Sequence, residues 1–361
     1  MENPSRNLPK TDSDIEPTVV LSDDAAGADP ENLISTLPLK SQDRYTFIRS
    51  IGFGGMKGVL LVHDRDTDRD VAMAIMPDFR DRSRQDLNRF VREARITARL
   101  EHPNIVPVYD LGIDASGSPF FIMKYLRGST LAVILRRLRA GDPEYLENYT
   151  LTRRLQIFVR VCNAVAFAHS MDICHYDLKP GNIHCGDFGE VQVIDWGLAG
   201  GTSAEEGGHV KGTPGYMAPE LIAGLPDPGK AADIYALGAL LYAILTLDSP
   251  LAGLPRQEIL RRTVAGRIAS PSRSGRQFPP GLEAICRKAM ALDPAERYVS
   301  AVDIRRDVNA VLSGYAGSAE KASAVRTAFL FLRRNLSAVI IVVLLLVCGV
   351  FAWLAYHYAR N

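Results

Sequence analysis

The chain has 361 residues, 47% hydrophobic and 23% charged, with a net charge of +1. That length allows one large domain, or two small ones, plus appendages, and the composition is ordinary for a globular protein. The near-neutral balance predicts no nucleic-acid partner, because a nucleic-acid footprint needs a clustered basic surplus.

Residues 1–43 read as a disordered acidic tail rich in Asp, Ser, Pro and Ala. No signal peptide is predicted there, since the first forty residues contain no apolar core region. Within the tail, Glu16-Pro17-Thr18-Val19 offers Thr18 as a phosphorylation or docking point. Short β-branched and aromatic runs follow at Tyr45 to Ile51, Val59 to His63 and Val71 to Ile75, separated by glycines and a polar turn. Arg84 to Leu100 then has helical periodicity, with Leu87, Phe90, Val91 and Ala94 on one face. Two more strands are predicted around Val106 to Leu111 and Pro119 to Lys124. Beyond Gly128 the pattern turns helical, over Leu131 to Ala140, Leu151 to His169, Lys230 to Leu247, Arg256 to Ala265, Gly281 to Ala291 and Ala301 to Leu312. Residues 314–335 read as a basic juxtamembrane linker. Leu336 to Tyr356 carries no charge and, at 1.5 Å per residue, spans about 31 Å, the thickness of a bilayer core. Arg333 and Arg334 precede it, and Trp353 and Tyr356 lie near its far end. The expectation is a single-pass helix in the cytoplasmic membrane, with the main domain in the cytoplasm and residues 357–361 beyond the bilayer. Five cysteines are scattered with no C-x-x-C pair, which predicts reduced thiols rather than a disulfide or zinc framework.

Several fragments carry chemistry. Gly52-Phe53-Gly54-Gly55-Met56-Lys57-Gly58-Val59 has the spacing of a glycine loop that covers phosphates, with Lys57 where a third glycine is expected. Val71-Ala72-Met73-Ala74 reads as a strand that should end in lysine and ends in Ala74. His175-Tyr176-Asp177-Leu178-Lys179-Pro180-Gly181-Asn182 and Asp195-Trp196-Gly197 supply the other parts of a phosphoryl-transfer site. Gly212-Thr213-Pro214-Gly215-Tyr216-Met217-Ala218-Pro219-Glu220, Asp233 and Arg297 follow in order. Each fragment is weak alone, but their order and spacing are specific. Together they resemble the protein kinase signature set over residues 45 to 313, and most closely bacterial members of the eukaryotic-like Ser/Thr kinases.

The resemblance implies an α+β, two-lobed kinase-like fold over residues 44–313, with a small antiparallel sheet lobe and a larger helical lobe. It implies Asp177 as the residue that accepts the substrate hydroxyl proton, Lys179 against the transferring phosphate, and Asn182 and Asp195 as magnesium ligands. ATP would be held by Gly52, Gly54, Lys57, Val59, Ala72, Glu93, Met123, Asn182 and Asp195, with Lys124 to Leu126 as the hinge. Glu220 and Arg297 would form a buried ion pair. Lys179 and the Gly-Thr-Pro-Gly-Tyr segment favour Ser/Thr hydroxyls of proteins as acceptors.

Three departures bear on function. Tyr176 replaces an arginine that normally meets an activation-loop phosphate, which predicts weak control by such a phosphate. Ala74 removes the lysine that contacts the α- and β-phosphates and pairs with Glu93. Lys57, at the third glycine position, resembles the arrangement of the with-no-lysine kinases, where the catalytic lysine comes from the glycine loop. The reading is therefore a membrane-anchored, ATP- and Mg-dependent Ser/Thr kinase with a relocated lysine. The alternative is an inactive pseudokinase that scaffolds partners at the bilayer. A third reading gives the tail the leading role, with Thr18 presented to a phosphothreonine reader.

Overall fold

The computed structural model describes residues 37–39, 44–53, 57–198, 212–225, 228–320 and 322–360. In the small lobe, β1 (Tyr45–Phe53), β2 (Gly58–Asp64), β3 (Arg69–Ile75), β4 (Val108–Ile113) and β5 (Pro119–Lys124) form an antiparallel sheet in the order β1-β2-β3-β5-β4. Helix α1 (Arg84–Arg99) starts where the Ser83 hydroxyl accepts the Asp86 amide at 3.1 Å, satisfying an otherwise orphaned N–H. Its buried face, Phe90, Val91 and Ala94, has the expected helical spacing. Phe90 and Ala94 pack with Ala74, Met76 and Phe121, which locks α1 onto the sheet. The strands begin or end within two residues of the expected bounds.

Two contacts extend the folded body beyond the expected domain limits. Upstream, Leu37 is buried, and Leu39 bridges to Ile113 at the sheet edge. Downstream, the buried Asp307 carboxylate accepts hydrogen bonds from Tyr298 Oη at 2.7 Å, Ser318 N and Oγ at 2.8 Å each, and Ala319 N at 3.0 Å. A short carboxylate can satisfy clustered backbone amides in this way, and the pairing ties residues 318–319 to the large lobe.

The large lobe is mostly helical. It contains α2 (Leu131–Arg139), α3 (Pro143–Asn148), α4 (Leu151–Ser170), α5 (Pro219–Ile222), α6 (Gly229–Thr246), α7 (Arg256–Val264), α8 (Pro280–Ala289) and α9 (Ala301–Leu312). A three-stranded sheet of β6 (Ser129–Thr130), β7 (Ile183–Cys185) and β8 (Val191–Val193) lies at its upper edge. These strands are too short to leave a periodic signal in the sequence. α4 and α6 form the centre, with Phe158, Val161 and Val165 meeting Leu237, Leu240 and Ile244 in one buried cluster. Each such side chain contributes about 1.5–3 kcal/mol on leaving water.

Glu220 and Arg297 form the expected buried pair, two parallel hydrogen bonds of 2.5 and 2.8 Å. Arg297 also donates to the carbonyls of Ala231, Ala291 and Leu292, so its remaining protons are satisfied as well. Cys162, Cys174, Cys185 and Cys286 are buried, and Cys348 is exposed; none of the five is in a disulfide among the described residues.

Two helices close the chain, α10 (Ala324–Arg334) and α11 (Leu336–Arg360). Among the described residues, two helices are long and apolar enough to cross a membrane, α6 and the Val339–Arg360 portion of α11. They differ in surroundings: α6 is mostly buried in the large lobe, whereas no residue of the 22-residue stretch of α11 is buried. The helix runs past Tyr356 because His357 to Arg360 contain neither Gly nor Pro to stop it.

Candidate active site

The small and large lobes meet around a cavity of about 580 Å³. Ile51, Val59, Ala72, Val106 and Met123 give it apolar walls, and Lys124 to Gly128 form its rim. At the other end stand Lys57, Glu93, Asn182 and Asp195. Gly52 lies on the wall as well; Gly54, expected in the same loop, lies outside the described residues. One apolar slot with a charged end fits a flat ring system carrying a polyanion.

The charged end is built around Lys57. Its ammonium donates to Glu93 Oε1 and, at 3.2 Å, to Asp195 Oδ1. Burial works against the charged ammonium, but the two carboxylates outweigh it and push Lys57 above its ordinary range. Burial likewise opposes ionisation of Asp195, and Lys57 reverses the balance and holds that carboxyl below its ordinary range. Lys57 therefore ties three pieces together: the glycine loop, α1 through Glu93, and the Asp195-Trp196-Gly197 turn.

Strand β3 carries an alanine where the sequence pattern calls for lysine. Ala74 pairs with Val59 across β2 and with Phe121 across β5, and it is fully buried among Phe90, Phe121 and Met76. A methyl side chain fills that position, and the cation that meets Glu93 is Lys57 of the neighbouring loop. Gly197 completes the close approach, since a Cβ there would lie 3.0 Å from Glu93 Oε2.

The loop carrying Asp177 is fixed from below by Asp233 on α6. This buried carboxylate accepts the backbone amides of His175 at 2.7 Å and Tyr176 at 2.9 Å, and pairs with His169 Nε2 at 2.9 Å. Burial opposes its charge, yet the hydrogen bond from His169 and the contacts of His175 hold Asp233 below its ordinary range. His169, Cys174 and Asp233 bring ligand atoms within 4.8 Å of one another, but the Asp233 oxygens already serve these partners. Tyr176 (φ 62°) and Asp195 (φ 67°) both adopt the left-handed region, which non-glycine residues keep only where surrounding contacts impose it. For Tyr176 those contacts include Asp233, and its ring packs on the apolar group of Ala218, Ala232 and Tyr235. The His175 ring packs at a 49° tilt against the buried Trp196 with ring centroids 4.6 Å apart, joining the Asp177 loop to the Asp195 turn.

Asp177 is surrounded by donors. Lys179 Nζ donates to its Oδ2 at 2.6 Å, the Thr213 hydroxyl to its Oδ1 at 2.8 Å, and Asn182 Nδ2 to its backbone oxygen at 2.9 Å. Lys179 also donates to Thr213 at 2.8 Å. Thr213 is a site residue that sequence reasoning passed over. It stood within the Gly-Thr-Pro run, but nothing in the spacing told that its hydroxyl reaches back 36 residues to Asp177. Asn182 has its amide nitrogen committed to Asp177, which leaves its oxygen as the atom available to a cation. Asn182 and Asp195 thus present hard oxygen donors, the type magnesium prefers. The activation-loop positions Thr202, Ser203, Glu205 and Glu206 lie outside the described residues.

The protein kinase domain family profile matches residues 45–307. The chain belongs to the protein kinase domain family. Among curated proteins it is similar to Serine/threonine-protein kinase PknD of Chlamydia pneumoniae, 35% identical over 303 residues, covering 75% of this chain and 31% of that protein. The corresponding kinase of Chlamydia caviae is 36% identical over the same extent. That of Chlamydia trachomatis serovar D is 35% identical over 308 residues, 75% of this chain and 32% of the relative. The chain thus spans about a third of the length of the relatives it matches.

Proposed function

We propose that this chain is a membrane-anchored Ser/Thr protein kinase that transfers the γ-phosphate of ATP to protein hydroxyls, with Lys57 in place of the absent strand lysine. The observation that carries the reading is the Lys57–Glu93–Asp195 cluster at the charged end of the cavity. A solvated loop lysine has no reason to be drawn between two carboxylates at the base of a nucleotide-sized slot. The kinase names of the chlamydial relatives support the acceptor class.

In this reading the adenine ring enters between Val59, Ala72 and Met123, and Gly52 and Gly54 cover the phosphates. Lys57 clamps phosphate oxygens from above and stays fixed to α1 through Glu93. Asn182 and Asp195 would hold magnesium, which when bound would supply positive charge to offset that of the phosphates. Asp177 accepts the proton of the attacking hydroxyl, while Thr213 and Lys179 hold its carboxylate in line. Lys179 then faces the transferring group.

The exposed α11, preceded by Arg333 and Arg334, supports a bilayer anchor over residues 336–356 with the catalytic domain on the cytoplasmic side. The proposed organisation is a tail over 1–43 with Thr18 open to a phosphothreonine reader, a catalytic domain over 44–313, a linker over 314–335, the anchor, and a short end over 357–361.

The test is phosphate transfer from labelled ATP to a general protein acceptor by the full chain, with and without magnesium, beside Asp177→Asn. Magnesium-dependent transfer that Asp177→Asn abolishes is the expected result. A full chain that binds nucleotide but transfers no phosphate would leave the scaffold reading in its place.

A further inference from the structure

A second cavity, of about 430 Å³, opens beside the Asp177 loop. It shares Lys179, Pro180 and Gly181 with that loop and Tyr216 with the segment that carries Thr213. A peptide whose hydroxyl reaches Asp177 must lay its neighbouring residues along this wall. The opposite wall is α2, which contributes Arg136 and Arg139, one helical turn apart and so on one face.

The charges of this groove are unequal. Lys179 is occupied by Asp177, and Arg139 by Asp248 at 2.5 Å. Among the described residues that line it, Asp248 is the only carboxylate. Arg136 is exposed and has no carboxylate partner among the described residues. The Arg139–Asp248 pair is itself largely exposed, with side chains 62% and 36% accessible, so an incoming carboxylate can share that guanidinium at little cost. Leu135, Leu247 and the half-buried Tyr216 line the same groove and reduce the screening of a charge held there.

We infer that this groove selects acceptor segments bearing Asp or Glu within a few residues of the phosphorylated hydroxyl, with Arg136 as the specificity-determining residue. The inference rests on the kinase reading above and names its substrate class. A carboxylate gains the unpaired guanidinium, whereas a lysine or arginine in the substrate would face an uncompensated cation. Attraction to one sign and repulsion of the other act together, which is how a weak surface pair becomes a usable preference.

The experiment uses the full chain in detergent and three serine peptides that differ only in flanking residues: glutamates, alanines or lysines on both sides. Each exposed pair is worth up to ~1 kcal/mol, about fivefold, so attraction and repulsion together set the glutamate-to-lysine ratio of kcat/KM at about tenfold or more. The ratio should fall as salt is raised. In Arg136→Glu it should collapse to about one or invert. Arg137→Glu, a charge-matched control whose native partner is Asp142 outside the groove, should keep the wild-type ratio. Because each ratio is taken within one protein, a partly unfolded variant does not distort it. A wild-type enzyme that prefers the lysine peptide, or a ratio unmoved by Arg136→Glu, overturns the assignment while leaving the kinase reading intact. Absence of transfer to every peptide and to a general protein acceptor would remove both.

Discussion

Replacing Lys57 by methionine keeps an unbranched stem and removes only the ammonium. In the folded protein that ammonium sits between Glu93, to which it hydrogen-bonds, and Asp195 at 3.2 Å. Glu93 is 11% exposed, so without Lys57 it becomes a nearly buried carboxylate without its cation. Removing one member of a buried pair costs about 3–5 kcal/mol, and the partial exposure of Lys57 sets the expectation near the lower end. Thermal melts of the full chain should show that loss. Catalysis should fall further, because a charge contact to the phosphates disappears from a water-poor site, a loss of about 2.7–4 kcal/mol in barrier, on the order of a hundredfold to a thousandfold. The assay is initial-rate phosphate transfer normalised to folded protein. Lys57→Gly restores an ordinary glycine loop and should be as damaging. Adding Ala74→Lys to Lys57→Gly should recover part of the rate and not all of it. Ala74 is fully buried beside Phe90 and Phe121, so the new stem overpacks that cluster at a cost of about 1–3 kcal/mol. Transfer rates that are equal in wild type and Lys57→Met would refute the relocation.

Three further outcomes are expected. Alanine at both Thr202 and Ser203 should leave turnover within about threefold, under ~1 kcal/mol, because Tyr176 offers no guanidinium for a loop phosphate; a hundredfold loss in the same kinetic assay would show that another cation does. Asp233→Asn should destabilise the protein by about 1.5–3 kcal/mol at neutral pH. Its native carboxyl is held below the ordinary range, so that contribution is complete above the ordinary carboxylate pKa and is lost as pH falls through the lower folded value; melts of the two proteins should converge as pH drops below about 4. Full-length protein should fractionate with membranes and resist extraction without detergent, and complete recovery in the aqueous fraction would remove α11 as an anchor.

Much of this fold was legible because its elements are long and periodic. Helices α1, α4 and α9 carry their apolar residues at helical spacing and begin at Ser83, Thr150 and Ser300, each of which caps its helix. What escaped notice was either short or long-range. The strands β6 to β8 have two or three residues each and exist only through mutual pairing. Residues 314–335 read as a basic juxtamembrane linker, and Asp307 captures Ser318 and Ala319 within it by hydrogen bonds that no local pattern announces. At the site, the positions of Asp177, Asn182 and Asp195 follow from spacing within two short fragments. Thr213 depends on the return path of the activation segment, and so its contact with Asp177 appears only in three dimensions. The groove beside α2 is similar: Arg136, Arg137 and Arg139 look alike in sequence, and only packing separates the one paired with Asp142 from those facing the Asp177 loop.

The two departures at Ala74 and Tyr176 have one physical logic. On the kinase reading proposed above, each removes a cation from its usual position, and the same piece of backbone is held another way. At β3 the ammonium comes from Lys57, so the link to Glu93 survives while the strand itself packs as plain hydrophobic core. At Tyr176 the loop is held from beneath by two amide hydrogen bonds to Asp233, and from the side by an apolar contact with Ala218, Ala232 and Tyr235. Thr213 then reaches Asp177 with a neutral hydroxyl. None of these contacts needs a phosphate on the activation segment to form. On the kinase reading proposed above, a site assembled in this way is set in place by folding, and its control is expected to act on access of nucleotide or acceptor rather than on assembly of the catalytic residues.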